Sequence, residues 1–146
     1  MNNHFSKLYS IELSKGYFEA AKKKLKNFNK INLYFGDSRK ILPKILENIN
    51  EPCVFWLDAH FSGGKTAKID KTKLTPIKEE LLAIKNHHIK EHIIFIDDIR
   101  CFDGKNGFPT KEETRKILSE INKNYSITYD KKTDILMATL TFAHSS

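Results

Sequence analysis

At four places in the sequence a carboxylate follows directly on an apolar run. Glu12 closes LYSIE, Asp37-Ser38 follows LYFG, Asp58-Ala59-His60 follows VFWL, and Asp97-Asp98 follows IIFI. A charge emerging straight from an apolar segment is costly to place unless something compensates it. Close carboxylates also raise one another's pKa unless a cation or strong donors oppose the repulsion. Asp58, Asp97 and Asp98 offer oxygen ligands only, a set that suits Mg²⁺, or Mn²⁺, with water completing the shell. A cation held there could bind a substrate hydroxyl and lower its pKa. The competing reading is that one or two of these aspartates merely cap loops. His60, with an ordinary pKa of about 6.5, could act as a general base, orient Asp58 or touch the substrate. Glu12 could accept both hydrogen bonds of a ribose diol, or stand as a surface glutamate at a helix entrance. Asp37 could accept from an exocyclic amine such as that of adenine, or cap the next helix together with Ser38.

These residues need a frame that brings distant strand ends together, and the hydropathy pattern supplies one. Short apolar or alternating runs at 8–13, 31–35, 53–57 and 93–96 read as strands. Between them lie amphipathic stretches at about 15–27, 39–48 and 76–87, the first capped by Ser14 and the third by Thr75. A further helix over about 110–122 opens with Thr110 and Glu113, the spacing of a capping box. The chain closes on 126–129 and 135–140 around DKKTD, which reads as a β-hairpin. Such alternation implies a mostly parallel sheet with helices on both faces, and in open sheets of this kind ligands bind beyond the carboxyl ends of the strands. CVFWL is apolar enough to expect a strand covered on both faces, with Trp56 in the core.

Composition narrows the class. The 146 residues form one domain by length, with 40% hydrophobic and 29% charged residues. There is no apolar stretch of about 18 residues and no signal-peptide pattern, so no membrane partner is expected and a cytoplasmic setting is the default. Cys53 and Cys101 stand too far apart for a zinc knuckle. The net charge of +7 admits nucleic acid as a partner, but the lysines are spread along polar helix faces and no RNA-binding signature is present. SGGKT at 62–66 lacks the full phosphate-loop pattern and reads as a substrate loop. His87, His88 and His92 are expected on a solvated connection.

Taken in order, LYSIELS, LYFGDS, FWLDAHFSGGKTA, IIFIDDIRCF and the closing hairpin resemble class I S-adenosylmethionine-dependent methyltransferases. The resemblance covers essentially the whole chain, 1–146, as a single domain. It implies an α/β, Rossmann-like fold ending in an antiparallel hairpin, with S-adenosylmethionine as cofactor. It places Glu12 at the cofactor ribose, Asp37 and Ser38 at its adenine, and Asp58 in the cofactor site. The aspartates are similar to those of cation-dependent small-molecule O-methyltransferases, which implies Asp58, Asp97 and Asp98 as Mg²⁺ ligands. His60 and Asp58 would then serve catalysis. Many relatives carry Asp-Ala-Asp where this chain has Asp58-Ala59-His60. The acceptor would be a small-molecule hydroxyl, a sugar among the candidates, and the chain could form a homo-oligomer. A non-catalytic binding module and a nucleic-acid methyltransferase are the rival readings. The family's first strand and glycine-rich turn have no counterpart ahead of residue 8, so the fold is expected to be N-terminally truncated, with two strands left without a neighbour.

Overall fold

The computed structural model describes residues 5–58 and 75–141. Its elements are β1 (Leu8–Glu12), α1 (Lys15–Leu25), β2 (Ile31–Phe35), α2 (Ser38–Leu46), β3 (Val54–Asp58), α3 (Ile77–Asn86), β4 (Ile93–Asp97), α4 (Lys111–Ile121), β5 (Tyr125–Asp130) and β6 (Ile135–Leu140). A 3-10 turn over Ile99–Cys101 follows β4. Three helix starts are those the capping residues imply, while α3 begins at Ile77 with Pro76, not Thr75, at its cap. Ser14 accepts from the Tyr17 N–H, Asp37 from Arg39, and Thr110 and Glu113 close a reciprocal capping box. Thr75 accepts from the Ile77 N–H at 3.3 Å.

The strands form two sheets. β1 and β2 pair in parallel, and a second sheet runs β3-β4-β6-β5, with β3 and β4 parallel and the β5–β6 hairpin antiparallel. Among the described residues β1 and β3 each have one unpaired edge, and both strands line the same cavity, of about 1140 Å³. Among the described residues no strand lies between β1 and β3, so the sheet is divided there. Open edges carry N–H and C=O groups without a ladder partner.

Alternation along the strands sorts the two faces. Phe55, Leu57, Ile94, Ile96, Leu136 and Ala138 point into a core closed by Leu81 and Ile84 of α3 and Leu118 of α4. Ile11 and Tyr34 face the same way. Phe35, one residue on, points to the opposite side and meets Phe18 of α1, with ring centroids 5.5 Å apart. Helices therefore lie on both faces, but among the described helices α1 stands alone on the second. That corrects the expectation for β3 and Trp56. Val54 and Trp56 are 44% and 59% exposed, because no described helix covers the outer face there, and Trp56 leans on Phe95 instead.

The histidines also differ from expectation. His87 and His92 are buried, and only His88 is exposed. The Cys53 N–H donates to His92 Nδ1 at 2.9 Å, which places the His92 proton on Nε2. That nitrogen lies 2.8 Å from His87 Nδ1, and His87 Nε2 lies 2.8 Å from the Ile49 carbonyl. Each ring thus accepts on Nδ1 and donates from Nε2, and the neutral pair ties the start of β3 to the end of α3 and the start of β4. Burial, then the neighbouring His87, lowers the His92 pKa to about 4.

Candidate functional site

Register brings the acidic strand ends together. Asp58 and Asp97 are the last residues of β3 and β4 and lie opposite each other in the parallel ladder. The chain then turns sharply, with Asp98 in the left-handed region at φ 58°, a conformation that Asp tolerates better than most residues. One carboxylate oxygen from each of Asp58, Asp97 and Asp98 lies within 4.8 Å of the others. Two oxygens across a Mg²⁺ ion stand about 4.2 Å apart, twice the usual bond length, so small rotamer changes would let this donor set close on a hard cation.

The same turn is braced from the hairpin. Arg100 Nη1 contacts Asp98 Oδ1 at 2.9 Å and Asp134 Oδ2 at 2.8 Å. Asp134 also accepts from the Arg100 N–H and the Tyr129 hydroxyl. These donors hold the Asp134 carboxyl below the ordinary carboxylate range against an opposing desolvation effect. Asp134 is left-handed as well, at φ 58°, at the β5–β6 turn. No reading of the separate motifs connects Arg100 with Asp134, because the contact spans 34 positions.

Glu12, Asp37, Ser38 and Asp58 all line the cavity between β1 and β3. Glu12 Oε1 accepts from the Ser14 N–H at 2.9 Å, the helix-entrance role, while Oε2 has no partner among the described residues. Gly36, at φ 140°, makes the turn after β2, and its N–H bonds the Glu12 carbonyl at 2.9 Å. A side chain there would be strained. Asp37 caps α2 and grips Arg39, with Arg39 Nε and Nη2 at 2.7–3.0 Å from its oxygens. That pairing, foremost the side-chain hydrogen bond, holds the Asp37 carboxyl below the ordinary range. The capping alternative for Asp37 is thus realised, and its oxygens are already engaged. Ser38 Oγ donates to Glu80 Oε1 at 2.6 Å. Glu80 is not legible in the sequence, where KEELL reads as ordinary helix; its burial appears only in the structure. His60 and the SGGKT segment lie outside the described residues.

No family model matches the chain, and no curated protein matches it. Solved structures do. One from Staphylococcus aureus, provisionally assigned as a caffeoyl-CoA O-methyltransferase, is 12% identical with a TM-score of 0.52 over 91% of this chain. The Podospora anserina methyltransferase PaMTH1, solved with S-adenosylhomocysteine, is 9% identical with a TM-score of 0.55 over 93% of this chain. A provisionally assigned rRNA methylase from Clostridium thermocellum is 14% identical with a TM-score of 0.55 over 90% of this chain, and the alignment spans 73% of its own. The chain spans 64% and 61% of the length of the first two. At these identities the likeness is one of architecture: the chain has the Rossmann-like fold of S-adenosylmethionine-dependent methyltransferases. No described helix is long and apolar enough to cross a membrane.

Proposed function

We propose that the protein transfers a methyl group from S-adenosylmethionine to a hydroxyl oxygen of a small polar acceptor, a sugar among the candidates, with a divalent cation at the aspartates. The observation that carries this reading is the approach of Asp58, Asp97 and Asp98 to within 4.8 Å of one another at the strand ends, beside a cavity lined by Glu12 and Ser38. The methyltransferase architecture supports it, as does the S-adenosylhomocysteine bound by PaMTH1. Glu12 Oε2 would take the ribose diol, and Ser38 would lie near the adenine. Asp58, Asp97 and Asp98 would hold Mg²⁺, whose role when bound is to acidify the acceptor hydroxyl. Asp97 Oδ1 already accepts the Asp98 N–H at 2.8 Å, which fixes the turn that presents both carboxylates. His60 would take the acceptor's proton.

The test is calorimetric titration of S-adenosylhomocysteine into the protein, with and without Mg²⁺, beside the Asp97→Asn variant. Saturable binding near one site per chain, and a Mg²⁺ response lost in Asp97→Asn, is the expected result. A folded protein that binds no S-adenosylhomocysteine would refute the cofactor reading; Mg²⁺ effects unchanged in Asp97→Asn would refute the metal role. A nucleic-acid acceptor is the second reading, favoured by the +7 charge. It requires RNA or DNA affinity that falls steeply with salt.

A further inference from the structure

Glu80 breaks the pattern of its own helix. It lies in the first turn of α3, next to the fully buried Leu81 and one turn from the fully buried Ile77 and Ile84, and is itself only 8% exposed. Its Oε1 is met by the Ser38 hydroxyl, but Oε2 is buried and has no hydrogen-bond partner among the described residues. Burial pushes its pKa up against the Ser38 hydrogen bond, and the charges that add to the rise, Asp37 and Asp58 from neighbouring elements and Glu79 on its own helix, are all acidic. A buried carboxylate oxygen without a partner is destabilising, and such groups in folded proteins call for an explanation. Glu80 also lines the cavity between β1 and β3, together with Ser38 and Asp37. At that end of the cavity Asp37 is taken up by Arg39, whereas Glu80 Oε2 has no hydrogen bond among the described residues.

We infer that Glu80 is a binding and specificity residue of this cavity, its Oε2 accepting a hydrogen bond from an N–H donor of the bound nucleoside. The donor is the exocyclic amine of adenine, which makes the inference rest on the S-adenosylmethionine reading above. The role first sought in Asp37 passes to Glu80, with the Ser38 hydroxyl fixing the carboxyl from its other oxygen. A nucleoside with a carbonyl at the position of the amine would set two acceptors against each other.

Calorimetry with S-adenosylhomocysteine and S-inosylhomocysteine, whose carbonyl replaces the amine, tests this in wild type and in Glu80→Gln. Glutamine keeps the size and can still accept from Ser38, while its amide NH₂ can donate to the inosine carbonyl. Wild type should prefer the adenosyl ligand by about tenfold or more, and Glu80→Gln should reduce that preference about tenfold. Without ligand, the variant should melt about 2–4 °C higher, because the unmet buried charge is gone. Glu80→Asp, which keeps the charge but withdraws it by a methylene, should also lose the preference and serves if the glutamine variant folds poorly. Binding of both ligands with the same preference in wild type and variants would overturn the role of Glu80 while leaving the cofactor reading intact. Failure of wild type to bind either ligand would instead remove the cofactor reading, and this inference with it.

Discussion

Acidification should unfold this protein partly through His92. The ring is fully buried, and its Nδ1 faces the Cys53 N–H at 2.9 Å while its Nε2 faces His87. A proton added to Nδ1 would point donor against donor and bring a charge into the core. The folded pKa of about 4 lies below the ordinary 6.5, so the folded state binds fewer protons than the unfolded chain. Stability from this source is therefore whole above the unfolded value and is lost as the pH falls from 6.5 toward about 4. The full gap corresponds to about 3 kcal/mol, of which about 2 kcal/mol should disappear between roughly pH 7 and pH 5. Other groups titrate in the same range, so the effect is read as a difference. Urea unfolding of wild type and His92→Gln at both pH values should show wild type losing about 2 kcal/mol more than the variant. Nitrogen-15 shifts of the imidazoles supply a second reading, with His92 as the Nε2–H tautomer and titrating far below an exposed histidine. Equal pH sensitivity in the two proteins, or a His92 that titrates near 6.5, would refute the reasoning.

Two stability predictions separate backbone and capping effects. Gly36→Ala places a Cβ 2.7 Å from Ile41 Cδ1 at φ 140°; Ile41 can turn aside, but the backbone cannot, so a loss of about 1–3 kcal/mol in urea unfolding is expected. A neutral result would mean that the turn after β2 relaxes freely. Thr110→Ala removes the hydroxyl half of the capping box at α4, leaving the Thr110 N–H to Glu113, and should cost about 1 kcal/mol in the same assay, with no change in ligand binding.

The strand ends were legible because each is a local event, an apolar run stopping at an acid. The parallel register then does what no single motif states: it sets Asp58 beside Asp97, residues 39 positions apart, so that both emerge at one edge. The helix starts were equally local, and Ser14, Asp37 and Thr110 cap where their types imply. What escaped were contacts whose partners lie far along the chain. His92 reads as a polar residue in a connection until the Cys53 N–H appears at its ring, 39 residues away. Glu80 reads as a helix-surface glutamate until Ser38 and the cavity are placed, 42 residues away. Trp56 failed for another reason. Hydropathy reports what a strand would bury, not whether a neighbour is there to bury it, and β3 has an open edge and an uncovered face.

Some departures from local preference lie at the cavity and the aspartates. In α4 every level agrees: the capping box is complete, Thr114 and Leu118 are fully buried, and Thr114 Oγ1 donates to the Thr110 carbonyl at 2.8 Å. Around the strand ends the levels conflict. Gly36 takes a backbone conformation that side chains rarely adopt, Asp98 sits in the left-handed region, and Glu80 buries an oxygen with no partner among the described residues. A chain selected for stability alone could remove such a conflict by substitution, since an apolar residue at position 80 would gain packing in place of the Ser38 hydrogen bond. Conflicts of this kind persist where a ligand settles them. Gly36 and Glu80 lie at the cavity and Asp98 at the aspartate cluster, a physical argument, independent of any likeness to other proteins, that supports the binding site proposed there.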